Sequence, residues 1–476
     1  MSLDVTQVKP PRPSDGSPCA DAVEQAFAPA AGPERALIDD CVHCGFCLPT
    51  CPTYVLWGEE MDSPRGRILL MDLAEKGELG MDAAVVRHWD SCLGCMACVT
   101  SCPSDVQYNR LIEQTRTQIE ERFNREPGDR RFRDAIFAVL PYHRRMTALA
   151  VPLLAYRASG LQRVMRRSGL YRHLPKRIRH LESLSPVVTW ASIREQAPEH
   201  TAPTSAPTLR VAMLTGCVQR ALFGDVNAAT ARVLAAHGCE VIAPRSQACC
   251  GALEVHAGRE HAALARARAL IEVLDNPTID RVVVNSAGCG STMKEYGELL
   301  KLDQAWADRA AVFAAKVRDV HEILAELESP TALLRPLELS VAYHDACHLA
   351  HAQGVRDEPR EVLRRIPGLL VIEVPESAIC CGSAGVYNLL EPDAAGELGR
   401  RKAANVRSVE PDALAAANPG CLLQISAKLG AEGRPIPTFH PIELIDASLR
   451  GLDAVELVSQ RRALLASAGA TRVGEV

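Results

Sequence analysis

From residue 209 onward, the hydrophobic pattern alternates short apolar runs with longer amphipathic segments. Runs such as LRVAML, CEVIAP and RVVVNS are rich in the β-branched residues that favour strands. Between and after them, residues 227–237 and 260–274 place apolar side chains at helical spacing. The same succession returns as LSVAYH, LLVIEV and a helical stretch over residues 394–406. Alternating strands and helices predict α/β layers built on parallel sheets.

Four cysteines recur in the same order within this α/β region. Counted along the sequence, the offsets between matched cysteines are 130, 131 and 132 residues. The matches are Cys217 with Cys347, Cys249 and Cys250 with Cys380 and Cys381, and Cys289 with Cys421. So little drift predicts two homologous lobes, over residues 209–330 and 331–455, related by a pseudo-twofold axis and followed by a tail over 456–476.

The chain upstream of the lobes divides by composition into four predicted segments. They are a Pro-, Ser- and Ala-rich flexible leader (1–30), a cysteine-rich domain (31–125), a basic amphipathic helical region (126–182) and a Pro/Ser/Thr/Ala linker (183–208). Residues 131–180 include twelve Arg or Lys and a single acidic residue. This region is either a docking surface for an anionic membrane or acidic partner, or a solvated helix pair that covers the domain.

Overall composition narrows the class of protein. With 476 residues, 47% hydrophobic residues and a net charge of -5, the chain has the composition of a soluble multidomain protein. Only 4% of residues are aromatic, which disfavours a nucleic-acid partner. No signal peptide or apolar run of membrane-spanning length is visible, so we expect the cytoplasm or its membrane face. There, 18 cysteines indicate metal binding or catalysis rather than disulfides.

Two cysteine runs in the N-terminal half share one spacing. CVHCGFCLPTCP and CLGCMACVTSCP both read C-x2-C-x2-C-x3-C-P, the pattern of two-cluster bacterial ferredoxins, in which the fourth cysteine of each run binds the other cluster. Zinc is disfavoured because its structural sites use two C-x-x-C pairs. The pattern predicts two 4Fe-4S clusters. Their ligands are Cys41, Cys44, Cys47 and Cys102 for the first, and Cys92, Cys95, Cys98 and Cys51 for the second.

Residues between and within the runs add three expectations. His43 is predicted to face outward, because each cube already has four cysteines. A helix is predicted after Pro64, and its Arg65 and Arg67 either offset cluster charge, meet a partner's acids, or are solvated helix-start residues. This segment resembles the α-helical ferredoxin domain of respiratory flavoprotein complexes such as succinate dehydrogenase.

The lobe cysteines follow successive strands, so they converge at the carboxyl edge of a parallel sheet. The repeated Cys-Cys-Gly resembles that of heterodisulfide reductase catalytic subunits, where it supports unusual iron-sulfur clusters with five cysteines. Ser286 and Asn418 stand where that family has a further cysteine. The resemblance makes each four-thiol set a candidate ligand set for a further cluster. The sets are Cys217, Cys249, Cys250 and Cys289, and Cys347, Cys380, Cys381 and Cys421.

From about residue 36 to 450 the chain resembles the iron-sulfur subunits of bacterial glycolate oxidases, on the motifs DCVHCGFC, SPRGRI, HDACHLAHAQ and CCGSAGVYNLLEP. The resemblance implies an oxidoreductase subunit that passes electrons from a flavin-containing partner toward quinone, with peripheral membrane contact. No G-x-G-x-x-G or P-loop is present, so we expect no flavin or NAD in this chain and assign it no catalytic residue.

Three alternatives stay open. The chain is a heterodisulfide-reductase-like catalytic subunit, the iron-sulfur subunit of a lactate or glycerol-3-phosphate dehydrogenase, or a scaffold whose lobes bind zinc or nothing. Several histidines are also open between chemical and structural roles. Those around Cys347, together with Asp345, either move protons and tune a cluster or simply support the fold. The histidines around Cys347 are His344 and His348. The same two alternatives, a chemical or a structural role, apply to His321 and His440 near the ends of the two lobes.

Overall fold

The computed structural model describes residues 25–29, 31–168, 173, 179, 181–182, 190–204, 206–327, 333–431, 433 and 435–467. Most of the predicted leader, parts of the predicted basic region and linker, and the end of the predicted tail lie outside these residues. The described part is a helical N-terminal half followed by two α/β lobes with parallel sheets. This architecture confirms the predicted fold class.

The cysteine-rich N-terminal domain is helical around one small core. The helix Pro64–Glu75 begins where predicted, because the Ser63 hydroxyl accepts a hydrogen bond from the Gly66 amide (3.0 Å) and Pro64 occupies the first turn. Trp89 is fully buried in the core, and Phe27 stacks on it with ring centroids 5.7 Å apart. The helices are Arg35–Asp39, Pro52–Trp57, Pro64–Glu75, Ala83–Asp90, Ala97–Thr100 and Tyr108–Arg122, with a 3₁₀ turn at Glu60–Asp62.

Within the residues that the structure describes, three helices of the basic region pack against the rest of the molecule, and one short helix precedes the lobes. Ile136 and Phe137 bury their side chains against Val386 of the second lobe. Elsewhere the region leaves apolar side chains in solvent: Leu149 is 58% exposed and Val164 is 62% exposed. The helices are Pro127–Val139, His143–Ala158, Leu161–Arg167 and Trp190–Arg194. Across the described ranges, no helix combines the length and apolar character that crossing a bilayer requires.

The two lobes share one sheet topology. The first sheet has the order β1-β3-β2-β4-β5 and the second has β7-β6-β8-β9; all pairings are parallel except that of β1 with β3. Omitting β1, the strand orders are equivalent, as a duplication requires. The strands are β1 His200–Thr201, β2 Leu209–Met213, β3 Cys239–Ile242, β4 Arg281–Val284, β5 Val317–Asp319, β6 Leu339–His344, β7 Leu369–Glu373, β8 Ala413–Ala416 and β9 Thr438–Phe439.

Helices cover the sheets and leave the carboxyl ends of the strands open to the cysteines. In the first lobe they are Val218–Leu222, Gly224–Ala236, Ala252–His256, Glu260–Leu274, Ala287–Lys294, Tyr296–Leu299, Ala307–Lys316 and Val320–Glu326. In the second they are a π-helical turn at His348–Ala352 and α-helices Asp357–Arg364, Tyr387–Leu390, Pro392–Ser408, Pro419–Ala431, Pro441–Arg450 and Ala454–Ser467.

Equivalent residues of the two lobes lie against each other. The Ser286 hydroxyl lies 3.5 Å from Oδ1 of its equivalent, Asn418. Across the same interface the rings of His321 and His440, which are not equivalent positions, stack with centroids 5.8 Å apart. Contacts between equivalent positions are what a pseudo-twofold axis produces. Both histidines are buried, and burial lowers the pKa of His440 to about 3. Their contacts favour the structural role, as part of the interface between the lobes.

The helix Tyr108–Arg122 joins the N-terminal domain to the first lobe through buried polar groups. Arg116 donates to the carbonyl oxygens of Cys92 (2.5 Å) and His256 (2.9 Å). Nearby, Asn109 Nδ2 donates to Glu295 Oε1 at 2.9 Å. Burial raises the pKa of Glu295 to about 8 and that of Glu113 to about 7. These carboxyls therefore hold a proton in the folded chain at pH values where the unfolded chain has lost it.

Glu295→Gln is expected to stabilise the protein at alkaline pH. The folded pKa of Glu295 lies above its ordinary value of 4.5, so folding weakens as pH rises from about 4.5 to about 8. An amide keeps the contact with Asn109 and cannot ionise. Thermal unfolding under anaerobic conditions should show an advantage on the order of 2 kcal/mol at about pH 8.5 that shrinks toward about pH 6. The control is Glu298→Gln, at a half-exposed neighbour that pairs with Lys301. An equal advantage at both pH values would contradict this account.

Candidate functional site

The first ferredoxin thiol set lines an open cavity near the surface. The cavity has a volume of about 410 Å³, and the cysteines predicted for the first cluster all line it. They are Cys41, Cys44, Cys47 and Cys102. His43 and Gly45 turn the loop with left-handed φ values of 53° and 89°, which lets the run wrap around one corner of the cavity. His43 is exposed to solvent, as expected for a residue that faces outward.

The second ferredoxin thiol set is buried. A cavity of about 290 Å³ is lined by the four cysteines predicted for the second cluster, which are Cys51, Cys92, Cys95 and Cys98. The structure therefore brings the fourth cysteine of each run to the other run's thiols, which is the crossing that the spacing predicts. The assignment of these cysteines as ligands stays a prediction.

A buried cation lies beside the second set. Only 1% of Arg67 is exposed. Its guanidinium donates to the hydroxyls of Thr53 (3.0 Å) and Ser91 (2.9 Å) and lies 3.9 Å from Cys51 Sγ. Burial alone would raise the pKa of the Cys92 thiol, but the charges of Arg67 and Arg116 outweigh it and lower that pKa. These contacts support charge compensation for Arg67 and exclude plain solvation.

Arg65 has a different environment at the first set. It is partly exposed, forms an ion pair with Glu60 at 2.6 Å and donates to the His43 carbonyl at 2.9 Å. Arg65 therefore holds the loop of the first cysteine run in place while its charge is largely met by Glu60.

The first lobe gathers its four cysteines at the carboxyl edge of its sheet. Cys217 Sγ lies 3.5 Å from Cys249 Sγ. Interaction with Cys249 and Cys289, together with burial, raises the pKa of Cys250 well above its ordinary value, so all four thiols act on one another. Gly251 follows with a left-handed φ of 84°, and its amide donates to Cys249 Sγ at 3.4 Å. Adjacent thiols thus point into one site because a glycine turns the chain immediately behind them.

The second lobe repeats this arrangement and adds an imidazole. Cys347 Sγ lies 3.9 Å from Cys380 Sγ, and the ligand atoms of Cys381, Cys421 and His344 all lie within 4.8 Å of one another. Hydrogen bonding from Cys381, and then from His344, outweighs burial and lowers the pKa of Cys421 to about 5. Sequence reasoning placed His344 near Cys347 but did not identify its contact with this thiol pair.

Other polar residues near Cys347 divide between the two roles left open. Asp345 forms an ion pair with Arg360 at 2.8 Å, which favours a structural role. The imidazole Nδ1 of His348 lies 3.6 Å from Cys347 Sγ, so this histidine does contact the thiol set. The Asn418 amide donates to Cys421 Sγ at 3.4 Å, which gives the residue found in place of a fifth cysteine a contact with the set.

The second ferredoxin set and the second-lobe set share one buried cluster. Cys95 packs with Cys380 and Cys347 in a cluster completed by Leu93 and Tyr387. Burial, and then the charge of Cys380, raises the pKa of Cys95 well above its ordinary value. This proximity could not be read from the sequence, because nothing in the spacing of either motif says which lobe the ferredoxin domain contacts.

The residues present fit iron-sulfur clusters. Cysteine thiolates are the usual ligands of such clusters, and two groups of four thiols surround cavities in the N-terminal domain. A buried guanidinium beside the second group offsets the negative charge that thiolates and a cluster bring.

Arg67→Met is expected to weaken the second ferredoxin centre. Removing the guanidinium takes one partner from buried Asp62, which keeps His88 and Ser91, so stability should fall by about 1–3 kcal/mol. The loss of positive charge should also move the reduction potential of that centre to more negative values. Redox titration followed by electron paramagnetic resonance (EPR) would measure the shift, with Arg67→Lys as the charge-retaining variant and Arg65→Met as the control at the first set. An unchanged potential in Arg67→Met would disprove the charge-compensating role.

Three family models match separate parts of the chain. The 4Fe-4S dicluster domain family matches residues 37–106, so the N-terminal domain is a two-cluster iron-sulfur domain. The cysteine-rich domain family matches twice, at residues 211–294 and 341–426. The linker region of glycolate oxidase iron-sulfur subunits matches residues 128–185, the basic helical segment.

Whole-chain relatives carry the same combination. The probable glycolate oxidase iron-sulfur subunit of Bacillus subtilis (strain 168) is 38% identical over 399 residues, which cover 83% of this chain and 89% of the relative. The glycolate oxidase iron-sulfur subunit of Escherichia coli (strain K12) is 34% identical over 424 residues, 87% and 95% of the two chains. Lactate utilization protein A of Oceanobacillus iheyensis is 28% identical over 243 residues, 51% of this chain and 99% of its own. The chain therefore belongs to the family of glycolate oxidase iron-sulfur subunits.

Proposed function

We propose that this chain is the electron-transfer subunit of a complex that oxidises glycolate. A flavin-containing partner removes two electrons from the hydroxy acid, and the iron-sulfur clusters supply one-electron carriers between that flavin and a quinone. The proposed ligands are Cys41, Cys44, Cys47 and Cys102 for the first cluster, and Cys51, Cys92, Cys95 and Cys98 for the second. The whole-length match to glycolate oxidase subunits supports this proposal more strongly than the half-length match to lactate utilization protein A.

The observation that carries the proposal is that Cys95 and Cys380 lie in one buried cluster, close enough for the charge of Cys380 to raise the pKa of Cys95. It continues a series of sulfur sites that starts near the surface, passes through a buried set and reaches the second lobe. Such a series suits a carrier, because the buried sets lie close to one another.

The surface around the first set is a suitable docking site for the flavin subunit. Val42 is 68% exposed and Phe46 is 66% exposed, and both flank the exposed Cys44. Exposed large apolar side chains next to a redox site are typical of a protein interface. We therefore place electron entry at this loop.

Co-expression with the flavin subunit tests electron entry. Glycolate should reduce the clusters of the wild-type complex, whereas Phe46→Glu should abolish or strongly slow this reduction while chemical reduction by dithionite stays normal. Val312→Glu, at a 59% exposed position of the first lobe, is the matched control. EPR signals of the reduced clusters report the result. Reduction by D-lactate or glycerol 3-phosphate but not by glycolate would overturn the proposed substrate, and normal glycolate reduction of Phe46→Glu would overturn the docking site.

The basic helical region is proposed as a peripheral membrane contact. Exposed Leu149 and Val164 lie in a segment with a large excess of Arg and Lys, and this combination binds anionic lipid surfaces through apolar burial and phosphate attraction. A complex that delivers electrons to a lipid-soluble quinone has reason to lie at the membrane surface.

Vesicle sedimentation tests the membrane contact. The wild-type protein should sediment with vesicles that contain phosphatidylglycerol and not with vesicles of phosphatidylcholine alone, and added salt should release it. Leu149→Glu combined with Val164→Glu should reduce binding about tenfold or more, because two apolar side chains become charged. Val312→Glu should bind as the wild type does. Failure of the wild type to bind anionic vesicles would contradict the proposal and favour a protein partner at this surface.

A further inference from the structure

The two lobes differ at one buried position beside their thiols. Leu214 and His344 each stand three residues before the first cysteine of their lobe, at the carboxyl end of the central strand. Leu214 is fully buried in a core that includes Cys217. His344 is equally buried, with 1% exposed, although its side chain is polar. The second lobe therefore accepts an imidazole where the first keeps a hydrocarbon.

An imidazole at this depth needs a partner. His344 Nδ1 is buried and has no hydrogen-bond partner, which costs free energy in a protein interior. The ligand atoms of His344, Cys381 and Cys421 converge within 4.8 Å. Within the residues that the structure describes, no other group of three histidine, cysteine or acidic side chains converges as closely with ligand geometry. Imidazole nitrogen is a common metal ligand, so the convergence of His344 with the two thiols gives the buried ring a use.

The second lobe also buries a lysine at a position where the first lobe has a leucine, while the first lobe places the partly buried Arg266 near Cys249. Gly251 lies against Ala263 in the first lobe, and Gly382 lies against Ala395 in the second, so the following helices align with an offset of 132 residues. Lys402 then corresponds to Leu270, which is fully buried. Lys402 is 2% exposed, and its ammonium donates to the Glu376 carbonyl at 2.6 Å. Burial lowers the pKa of Lys402, whereas the charges of Cys381 and Cys380 raise it.

The lobe that carries these two polar residues is also the lobe that packs against the ferredoxin domain. Cys380 shares a buried cluster with Cys95 of the second ferredoxin set. The first-lobe thiols Cys217, Cys249 and Cys250 instead pack in a core built from their own lobe. The lobe with the imidazole and the buried ammonium is therefore the lobe whose thiols contact the ferredoxin domain.

We propose that the second lobe holds an iron-sulfur cluster in which His344 is a ligand beside the cysteines of that lobe, and that the first lobe, with Leu214, lacks this ligand. The cysteines are Cys347, Cys380, Cys381 and Cys421. The role of this cluster as an electron acceptor rests on the proposed function, whereas its presence and its histidine ligand do not.

The ligand set fits an electron acceptor. A neutral imidazole in place of a thiolate leaves a cluster less negative and raises its reduction potential, and the ammonium of Lys402 acts in the same direction. Each transfer then oxidises the second ferredoxin centre by one electron and reduces the second-lobe centre by one electron. Two such transfers account for the two electrons of one reduced flavin in the partner subunit.

The test uses the full-length protein, purified anaerobically, in four versions. They are the wild type, His344→Leu, which copies the first lobe, His344→Cys, which keeps a ligand at the position, and Leu214→Met, a volume-conserving control in the first lobe. Iron and acid-labile sulfide are counted per chain. Pulsed EPR on protein labelled with ¹⁵N-histidine then asks whether a histidine nitrogen is directly bound to a paramagnetic cluster.

Two 4Fe-4S clusters contribute about eight irons, so a loaded second lobe should raise the count to about twelve. His344→Leu should return the count to about eight, and Leu214→Met should leave it unchanged. His344→Cys should keep the iron, lose the strong nitrogen coupling and lower the reduction potential of that centre.

Other results overturn the proposal in distinguishable ways. About eight irons in the wild type, zinc in the second lobe, or a strong nitrogen coupling that persists in His344→Cys would each disprove the histidine-ligated cluster and leave the ferredoxin clusters in place. Absence of iron from the ferredoxin domain would instead overturn the proposed function itself.

Discussion

The buried cluster that holds both Cys95 and Cys380 is the constraint on which the functional account depends. Both cysteines are buried, one in the ferredoxin domain and one in the second lobe. Without this cluster, the sulfur sites of the ferredoxin domain and those of the lobes would form two unconnected groups. With it, the thiol sets form a series that begins at exposed Cys44 and ends within the second lobe. The helices and sheets around this cluster fix the positions of the thiol sets relative to one another.

Nearby positive charge lowers the free energy that is needed to add an electron to a buried sulfur site. Thiolates and clusters are negative, and burial removes the water that would otherwise screen them. Arg67 meets this need at the second ferredoxin set, and Lys402 lies near the second-lobe thiols. The first lobe has Leu270 at the position of Lys402, so the duplication has kept the fold of both lobes while their electrostatics have diverged.

Much of this architecture follows from the sequence, for identifiable reasons. The cysteine spacing predicts the crossing of Cys51 and Cys102 because a short loop constrains its own geometry. The strands over LRVAML and LSVAYH can be predicted because each is a largely apolar run that contains a β-branched valine. The alanines of β8 carry little strand signal, so this strand is identified only by its pairing with β6 in the sheet. The packing of Cys95 with the second lobe and the unpaired nitrogen of His344 both depend on segments that are distant in sequence. No short sequence pattern predicts either of them.

Magnetic interaction between clusters tests the central claim most directly. If the second ferredoxin centre and the second-lobe centre are neighbours, full reduction should split or broaden the EPR signals of both, and Cys380→Ser should remove the interaction while the signal of the first ferredoxin centre stays unchanged. Signals from the second ferredoxin centre that show no effect of reducing any centre in the lobes would contradict the account.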